Sequence, residues 1–527
     1  MISGKNSIGY NFSAMGTHVF YAKNPSSGEQ LKTKYHEATV SEVNEAIVLA
    51  EKAFVQYREK TGLEKASFLD TIADELVKIE KDLVDICKQE TGLPEGRLKG
   101  ELGRTTNQLR LFASLLKEGS WVDARIDFAD PNRTPFPKPD TRQMQIALGP
   151  VGIFGASNFP LAFSVAGGDT ASALAAGCTV VVKAHPLHPG TSELVGSIIL
   201  KAAKKCNMPD GVFSLVQGIS NAVGLAIVRN PLIKAIGFTG SFRGGKALFD
   251  EAAKREEPIP VYAEMGSVNP VFILPKAMEK SHQMLADGLS NSVQLGVGQF
   301  CTNPGIAILP KIKESAIFES ELKNRIADSV SATMLSDSIH KGFSSGLENL
   351  KAKKEVESIS KGKQAAGYAQ GVAEVLSVSA HNFMNDQQLE EEVFGPSTVL
   401  VRTQDKTDII HIAKNLRGHL TATVHGTQED LHEYSDLLKV LERKVGRLLI
   451  NGFPTGVEVC HSMVHGGPFP ATTDSRMTSV GTASITRFTR PICFQGFSES
   501  LLPDALKTEN PLGILRVENG KPIMSKG

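Results

Sequence analysis

The chain lacks net charge, and it lacks long apolar runs. Its 527 residues include 57 Lys and Arg against 57 Asp and Glu, so no global field draws it to nucleic acid or to an anionic membrane surface. It has no stretch of about 18 apolar residues, which a transmembrane helix needs, and its N-terminal segment has no continuous apolar core of the kind found in secretory signals. We therefore expect a cytoplasmic protein that binds neither nucleic acid nor membranes.

Cysteine is scarce, and the thiols show no pairing pattern. Neither C-x-x-C spacing nor tight pairs occur among Cys87, Cys178, Cys206, Cys301, Cys460 and Cys493. A disulfide framework and a zinc ribbon therefore have no support. His461 and His465 stand four residues apart, as two metal ligands on one helical face would, but no third ligand is evident and the nearby glycines disfavour a helix. We expect reduced thiols and no metal site.

The remaining composition is that of a globular α/β protein. With 41% hydrophobic residues, 22% charged residues and 48 glycines, the chain is neither disordered nor collagen-like nor a coiled coil. Short apolar runs rich in β-branched residues alternate with helix-length spacers, as strands of a doubly wound parallel sheet do. One set lies at 146–155, 179–183, 212–216, 234–240 and 271–274, and a second at 398–402, 420–425 and 447–451. The two sets predict two α/β lobes.

Cys301 is the cysteine whose surroundings suit chemistry. It lies in GVGQFCTNPG, between Gly296, Gly298 and Gly305, where the chain must bend. A substrate can approach a thiol closely beside such backbone, and backbone N–H groups there can stabilise an oxyanion. Taken alone, a cysteine in this setting is more often a small buried apolar residue, which is what the other five cysteines are expected to be.

Seven motifs, taken together, resemble those of the aldehyde dehydrogenase superfamily. In order they are GPVGIFGASNFPLAF, VVVKAHPLHPGTSE, FTGS, AEMGSVNP, GQFCTNPG, EEVFGP and NGFPTGVEV, and the resemblance extends to about residue 495. ASNFPLAFS, HPGTSE and HGGPFPATTD look most like the 2-oxoglutarate semialdehyde (2,5-dioxovalerate) dehydrogenases. NADP-dependent long-chain aldehyde dehydrogenases of bacteria are near relatives.

This resemblance implies an aldehyde dehydrogenase-like α/β fold, with two Rossmann-like lobes and a small β oligomerisation arm. The implied regions are a cofactor-binding domain at 1–123 and 146–263, a catalytic domain at 264–475, an arm at 124–145 and 476–497, and a C-terminal tail at 498–527 that is expected to be a loop. The arm segments are proline-rich or alternating, as suits a strand that pairs with another subunit. A homodimer or homotetramer is therefore expected.

The resemblance also assigns the catalytic roles. Cys301 is the nucleophile that attacks the aldehyde, Asn158 supplies a side-chain amide for the oxyanion, and Glu264 is the base that activates the hydrolytic water. Without the resemblance, Asn158 would pass as a turn residue and Glu264 as a solvated charge. CoA-acylating relatives characteristically lack that glutamate, so a non-acylating enzyme is expected. An inactive binding protein of the same fold is the alternative from another class.

The expected cofactor is NADP, with NAD possible. No G-x-G-x-x-G motif is present, and an ordinary Rossmann dehydrogenase is disfavoured. In the family, a lysine matching Lys183 reaches the adenosine ribose, and NAD-preferring members commonly carry Glu at the place of Pro186. A proline there removes an acceptor for the 2′-OH and a charge that would repel a 2′-phosphate, although it could merely permit dual use. His185 is placed in the same loop, near the adenosine end.

The other cofactor residues come from two further motifs. Gly240 and Ser241 in FTGS match the start of a helix that faces the pyrophosphate. Glu392 and Phe394 in EEVFGP match positions that hold the nicotinamide ribose and pack beside its ring.

The substrate is expected to be a small aldehyde. Arg104 lies on the helix that lines the substrate tunnel in the family, at a position where members that use simple aldehydes often have an apolar residue. Phe159 and Phe300 are the expected walls of this tunnel. The planar fork of Arg104 suits the carboxylate of 2-oxoglutarate semialdehyde. An arginine turned to solvent is the alternative, and it would favour a long-chain aldehyde.

Overall fold

In the computed structural model, which describes residues 2–524, two large α/β lobes and a small β arm are built from 23 strands and 15 α-helices. The strands are β1 (Asn6–Ile8), β2 (Asn11–Ser13), β3 (Val19–Phe20), β4 (Tyr35–His36), β5 (Arg125–Asp127), β6 (Thr141–Ala147), β7 (Val151–Phe154), β8 (Val180–Lys183), β9 (Phe213–Val216), β10 (Ala235–Thr239), β11 (Val261–Glu264), β12 (Val271–Ile273), β13 (Ile306–Leu309), β14 (Ala332–Thr333), β15 (Glu357–Lys361), β16 (Gln370–Gly371), β17 (Glu374–Ser379), β18 (Ser397–Arg402), β19 (His419–His425), β20 (Val445–Ile450), β21 (Thr489–Gln495), β22 (Arg516–Glu518) and β23 (Lys521–Ile523).

The helices are α1 (Val40–Tyr57), α2 (Gly62–Lys78), α3 (Glu80–Thr91), α4 (Glu95–Glu118), α5 (Gly168–Ala176), α6 (Pro189–Lys205), α7 (Asn221–Arg229), α8 (Phe242–Ala253), α9 (Pro275–Gln294), α10 (Lys313–Asp328), α11 (Asp337–Lys351), α12 (Ala380–Asn385), α13 (Lys406–Asn415), α14 (Gln428–Glu433) and α15 (Ser435–Leu441). Capping boxes start α1 and α2, where Thr39 pairs with Glu42 and Thr61 with Glu64. None of the described helices combines the length and apolar character that crossing a bilayer requires.

The first lobe is a sheet covered by helices on both faces. Its strand order is β11-β10-β7-β8-β9-β1-β2, and β11 to β9 run parallel. Strand β8 shows why its sequence is apolar throughout: Val180 and Val182 pack into the core with α2, α4 and α6, whereas Val181 packs on the opposite face with α1 and α7. The carboxyl ends of β7, β8, β10 and β11 therefore meet at one edge.

The second lobe repeats this design. Its sheet has the order β15-β17-β18-β13-β12-β19-β20, in which only β15 is antiparallel to its neighbour. Val399 and Val401 of β18 pack on one face, and Leu400 packs on the other.

The arm sheet differs in extent from the predicted one. Strand β6 runs to Ala147, two residues past the expected boundary, and Gly149 with a positive φ of 140° then turns the chain into β7. Residues 482–488 form a 3₁₀ turn whose Ile485 and Phe488 are buried in the first lobe, so only β21 of the segment 476–497 pairs in the arm.

The expectation that residues 498–527 are a loop is wrong for residues 516–523, which form two strands. Strand β22 pairs in parallel with β5, and β23 pairs with β22, so the arm sheet has the order β21-β6-β5-β22-β23. Apolar side chains of this segment hold it there, because Leu502, Leu506 and Ile514 pack with Ile126 of the arm. Sequence reasoning missed these strands because their sequences, RVE and KPI, contain charged residues and no apolar run, unlike the equally short β12.

Candidate active site

Cys301 lies in a tightly bent segment between the lobes. The 3₁₀ turn 295–298 precedes it, with positive φ angles of 58° at Gly296, 58° at Val297 and 65° at Gly298. Gly298 presses against the backbone of Gly395, so no side chain fits at that position. Asn269 donates from Nδ2 to the carbonyl oxygens of Cys301 and Asn303 at 2.9 Å each, which braces the loop from the start of β12.

Glu264 is the last residue of β11, at the carboxyl edge of the first sheet. Its carboxylate is buried and held from two sides. Ser479 Oγ donates to Oε2 at 2.5 Å, and Nε2 of His465 lies 2.8 Å from Oε1. The strand therefore delivers a fixed carboxylate to the space beside Cys301.

His465 joins Glu264 and Cys301, and sequence reasoning missed it. Its Nε2 atom lies 3.4 Å from Cys301 Sγ as well as 2.8 Å from Glu264, and the reactive atoms of the three side chains lie within 4.8 Å of one another. His461, four residues earlier in the sequence, is not part of this group, because it is exposed and contacts Thr482 instead. The only local signal at His465 was its place in the HGGPF motif.

Burial and charge set the ionisation of this trio. Burial raises the pKa of the Cys301 thiol well above its usual value, the negative charge of Glu264 raises it further, and Arg104 opposes the increase. Burial also acts to raise the pKa of Glu264, but His465 and the hydrogen bonds from His465, Ser479 and Cys301 outweigh it, so the pKa is lowered. The resting site therefore holds a thiol beside a carboxylate.

Asn158 lies next to the nucleophile loop. Its side-chain Nδ2 donates to the carbonyl oxygen of Gln299, two residues before Cys301, at 3.0 Å. Its backbone carbonyl oxygen accepts from Arg97 Nη2 at 3.0 Å, so the first bond orients the amide and the second holds the backbone. Arg97 is a second residue that sequence reasoning missed.

Aromatic rings and arginines form the wall beside Cys301. Phe159 and Phe300 meet edge to face with centroids 5.3 Å apart, and the guanidinium carbon of Arg97 lies 4.6 Å from each centroid. Arg104 on α4 lies 5.0 Å from the centroid of Phe163. The predicted wall residues are therefore adjacent to one another and to the arginine proposed for substrate.

Arg104 is not turned to solvent. Its Nε and Nη2 atoms are buried and have no hydrogen-bond partner among the described residues. These two atoms form one edge of the guanidinium, the edge that binds a carboxylate with two parallel bonds. Arg447 on β20 also has a buried Nε without a partner there, while its other nitrogens donate to Gly456 and Pro454.

A cleft of about 380 Å³ runs between the lobes and is lined by Ser241, Arg243, Gly266, Glu392 and His419. Ser241 is the N-cap of α8, and its Oγ accepts from Gly244 N at 3.2 Å. Gly240 packs over the Phe238 ring, which leaves no space for a side chain. The first amides of α8 and its dipole therefore face this cleft, an arrangement that fits a pyrophosphate. Phe394 lines the adjoining pocket, together with Phe300.

The loop after β8 carries the remaining predicted cofactor residues. Lys183 ends β8, and burial lowers its pKa to about 8, with Glu37 opposing the change. The rings of His185 and His188 stack with centroids 5.1 Å apart, and His188 Nε2 lies 3.0 Å from Ala156 O. Pro186 lies between these histidines, so the loop has a cation and two imidazoles but no carboxylate of its own.

Comparisons with known proteins show which proteins the chain is similar to. The family model described as "Aldehyde dehydrogenase family" matches residues 13–468. The chain is 46% identical over 521 residues to alpha-ketoglutaric semialdehyde dehydrogenase 2 of Azospirillum brasilense, covering 99% of both chains. It is 45% identical over 487 residues to alpha-ketoglutaric semialdehyde dehydrogenase of Acinetobacter baylyi, covering 92% of both.

Solved structures share the fold at lower identity. Betaine aldehyde dehydrogenase of Staphylococcus aureus in complex with NAD⁺ is 19% identical with a TM-score of 0.79, covering 94% of this chain and 95% of that one. Proline utilization A of Bdellovibrio bacteriovorus is 20% identical with a TM-score of 0.80, covering 93% of this chain and 49% of that one. The predicted fold class is confirmed.

Proposed function

The chain belongs to the aldehyde dehydrogenase family, and on that premise we propose that it oxidises 2-oxoglutarate semialdehyde to 2-oxoglutarate with NADP⁺. The observation that supports this substrate is that the Nε and Nη2 edge of Arg104, near Cys301, has no hydrogen-bond partner among the described residues. The names of the Azospirillum and Acinetobacter relatives support the same substrate.

The chemistry proceeds through Cys301. Its thiolate attacks the aldehyde carbon, and the amide of Asn158 with the backbone N–H of Cys301 stabilises the oxyanion of the thiohemiacetal. Bound NADP⁺ supplies the hydride acceptor that turns this adduct into a thioester. Glu264 then takes a proton from water, which attacks the thioester and releases the acid and the thiol. The presence of Cys301, Glu264 and Asn158 together favours an enzyme over an inactive binding protein.

The far end of the substrate is proposed to bind Arg104. The carboxylate of 2-oxoglutarate semialdehyde fits the free guanidinium edge and receives two parallel hydrogen bonds. Arg447 lies within electrostatic range of both Cys301 and Arg104, so it adds positive charge at the same end. A long-chain aldehyde would leave the buried Nε and Nη2 edge of Arg104 without a partner, which is costly. A short acidic aldehyde is therefore the better fit.

NADP⁺ is the proposed preferred cofactor, and NAD⁺ is expected as a weaker one. Lys183 forms no ion pair within the part of the chain that the structure describes, so its ammonium is available for a 2′-phosphate. Pro186 offers neither an acceptor to a 2′-OH nor a repelling charge. The first turn of α8 would hold the pyrophosphate, and Glu392 the nicotinamide ribose.

A homodimer or homotetramer is proposed through the arm. Strand β21 is at an open edge of the arm sheet, and its side chains alternate between exposed and half-buried along most of its length. An edge strand with free N–H and C=O groups is suited to pairing with a second copy. Light scattering of wild type against a variant with proline at Ile492, on that strand, tests this. A cytoplasmic location stays a prediction.

The function is tested by mixing the full-length enzyme with 2-oxoglutarate semialdehyde or with hexanal, and with NADP⁺ or NAD⁺. Absorbance of the reduced cofactor should rise fastest with the acidic aldehyde and NADP⁺, and added CoA should not raise the rate. A higher kcat/KM for hexanal would favour the long-chain alternative. A requirement for CoA would favour an acylating enzyme, and no turnover with any aldehyde would favour a binding protein.

A further inference from the structure

The position of His465 is unusual for a histidine that serves only packing. Its side chain is fully buried, and one atom, Nε2, faces both acidic groups of the site: Glu264 Oε1 at 2.8 Å and Cys301 Sγ at 3.4 Å. Its other nitrogen, Nδ1, is buried and has no partner among the described residues. All of the polar contacts of the ring are therefore directed into the catalytic trio.

The contact geometry decides which acidic group Nε2 of His465 faces. Nε2 and Cys301 Sγ are in hydrogen-bonding geometry at 3.4 Å. Glu264 Oε1 lies nearer, at 2.8 Å, but off the hydrogen-bonding direction of the ring, and it has no hydrogen-bond partner among the described residues. A hydrogen on Nε2 therefore avoids a lone-pair contact with the carboxylate, points at the sulfur and leaves Nδ1 as an acceptor.

We propose that the Nε2–H group of His465 is a shared hydrogen-bond donor, which stabilises whichever of Glu264 and Cys301 carries the negative charge. The inference rests on the proposed function, because it concerns the nucleophile of that reaction. When the site is activated, the S–H bond of Cys301 breaks and an O–H bond forms on Glu264. His465 keeps its proton, and its Nε2–H group already faces Sγ at 3.4 Å with Oε1 2.8 Å away, so the ring need not move. The negative charge thus moves from Glu264 to Cys301 while the Nε2–H group of His465 stays close to it.

The same donor serves the second half of the reaction. After the oxidation, Glu264 releases to solvent the proton that it took from Cys301, which is the proton that the oxidation produces. When water then attacks the thioester, Glu264 accepts a proton from the water and the Cys301 thiolate leaves, so the charge again moves from the carboxylate to the sulfur. Charge-assisted hydrogen bonds are about twice as strong as neutral ones, so a donor within reach of both positions lowers the cost of each transfer. His465 contacts a reacting atom and is therefore a catalytic residue in this proposal.

Other charges also face Cys301 and must be held constant in any test. Arg104 lowers the pKa of the thiol and Glu392 raises it, while Arg97 and Arg447 lie within electrostatic range. Substitutions at His465 leave these groups in place. A comparison among variants of His465 therefore isolates the donor.

The test measures thiol reactivity in the absence of aldehyde and cofactor. The full-length enzyme is treated with iodoacetamide over neutral to alkaline pH, and mass spectrometry follows modification of the peptide that contains Cys301. His465→Gln and His465→Met form a nearly isosteric pair, of which only Gln keeps an N–H donor. His465→Phe keeps a flat ring without a donor. His461→Gln is the matched control, since His461 is exposed.

Removal of the donor should slow alkylation at neutral pH by about 10- to 100-fold in the Met and Phe variants and move the midpoint of the profile to higher pH. The Gln variant should recover part of the rate, and the His461 control should match wild type. Profiles that superimpose on wild type would overturn the proposal. Equal losses in the Gln and Met variants would do so as well, since they would indicate packing alone.

Failure of this inference and failure of the proposed function are distinguishable. The alkylation assay uses no aldehyde or cofactor, so its result does not depend on which substrate the enzyme takes. Wild type that fails to oxidise 2-oxoglutarate semialdehyde would refute the function, even if alkylation follows the donor as expected. Normal alkylation of the donor-free variants would refute the inference, even if the function is correct.

Discussion

Replacing Arg104 by Gln is the sharpest test of the substrate. The side chain presents two buried donors, Nε and Nη2, that have no partner among the described residues. Each hydrogen bond to a carboxylate contributes about 1.5–3 kcal/mol, and allowance for the weaker bonds of a glutamine amide leaves a loss of about 2–4 kcal/mol. That loss corresponds to a fall in kcat/KM of about 30- to 1,000-fold for 2-oxoglutarate semialdehyde.

The effect should be confined to acidic aldehydes. For hexanal, which has no carboxylate, Arg104→Gln should leave kcat/KM unchanged or raise it, because a buried unpaired cation is removed. For the same reason the melting temperature should not fall. Arg104→Lys keeps the charge but not the fork, so it should recover only part of the rate.

The control uses the same helix. Arg110 lies on the exposed side of α4 and pairs with Asp74 at 2.8 Å, so Arg110→Gln should behave as wild type toward both aldehydes. The assay is initial-rate absorbance of reduced cofactor at saturating NADP⁺. Equal losses for the acidic and the uncharged aldehyde in Arg104→Gln would refute the reasoning, because they would show a general effect on the site rather than recognition of a carboxylate.

Three further substitutions test the chemistry and the cofactor. Cys301→Ala should abolish oxidation but leave NADP⁺ binding, measured by calorimetry, nearly unchanged; substantial turnover would mean another nucleophile. Glu264→Gln should give a burst of reduced cofactor in stopped flow, followed by a slow steady state, because hydrolysis loses its base. It should also move the pH midpoint of Cys301 alkylation downward, since the Glu264 charge raises the thiol pKa. Pro186→Glu should shift the ratio of kcat/KM toward NAD⁺ by about 1–3 kcal/mol. A native enzyme that already prefers NAD⁺ tenfold would contradict that interpretation.

The sheets were predictable because burial on both faces leaves a direct mark on sequence. Val180, Val181 and Val182 are successive apolar residues since each face of β8 meets a core. Strand β17 left a weaker mark, because Glu374, Ser377 and Ser379 interrupt its apolar residues. The C-terminal strands β22 and β23 left almost none: their stability comes from pairing with the distant β5, which no local pattern encodes.

The same distinction applies to the candidate site: residues with a local sequence pattern were predictable, and residues that only the fold brings together were not. Cys301 stood out among the cysteines because of the glycines and the proline around it, and the resemblance of the seven motifs then assigned its role. His465 lies 164 residues from Cys301 in sequence, and its neighbours Gly466 and Gly467 give no periodicity. Arg97 was hidden for another reason, since an arginine on an amphipathic helix is ordinarily exposed, and only the fold shows it packed on two phenyl rings.

These features explain how a thiol with a raised pKa can act as a nucleophile. In the free enzyme, the positive charge of Arg104 favours the Cys301 thiolate. Once a substrate carboxylate pairs with Arg104, that help is largely cancelled, so the thiolate becomes less favourable at the moment when it is needed. A Cys301 thiolate formed before binding would therefore lose the stabilising effect of Arg104 as soon as the substrate carboxylate bound. Transfer of the thiol proton to Glu264 in the bound complex avoids this, because it moves one negative charge over a short distance and adds none to the buried site.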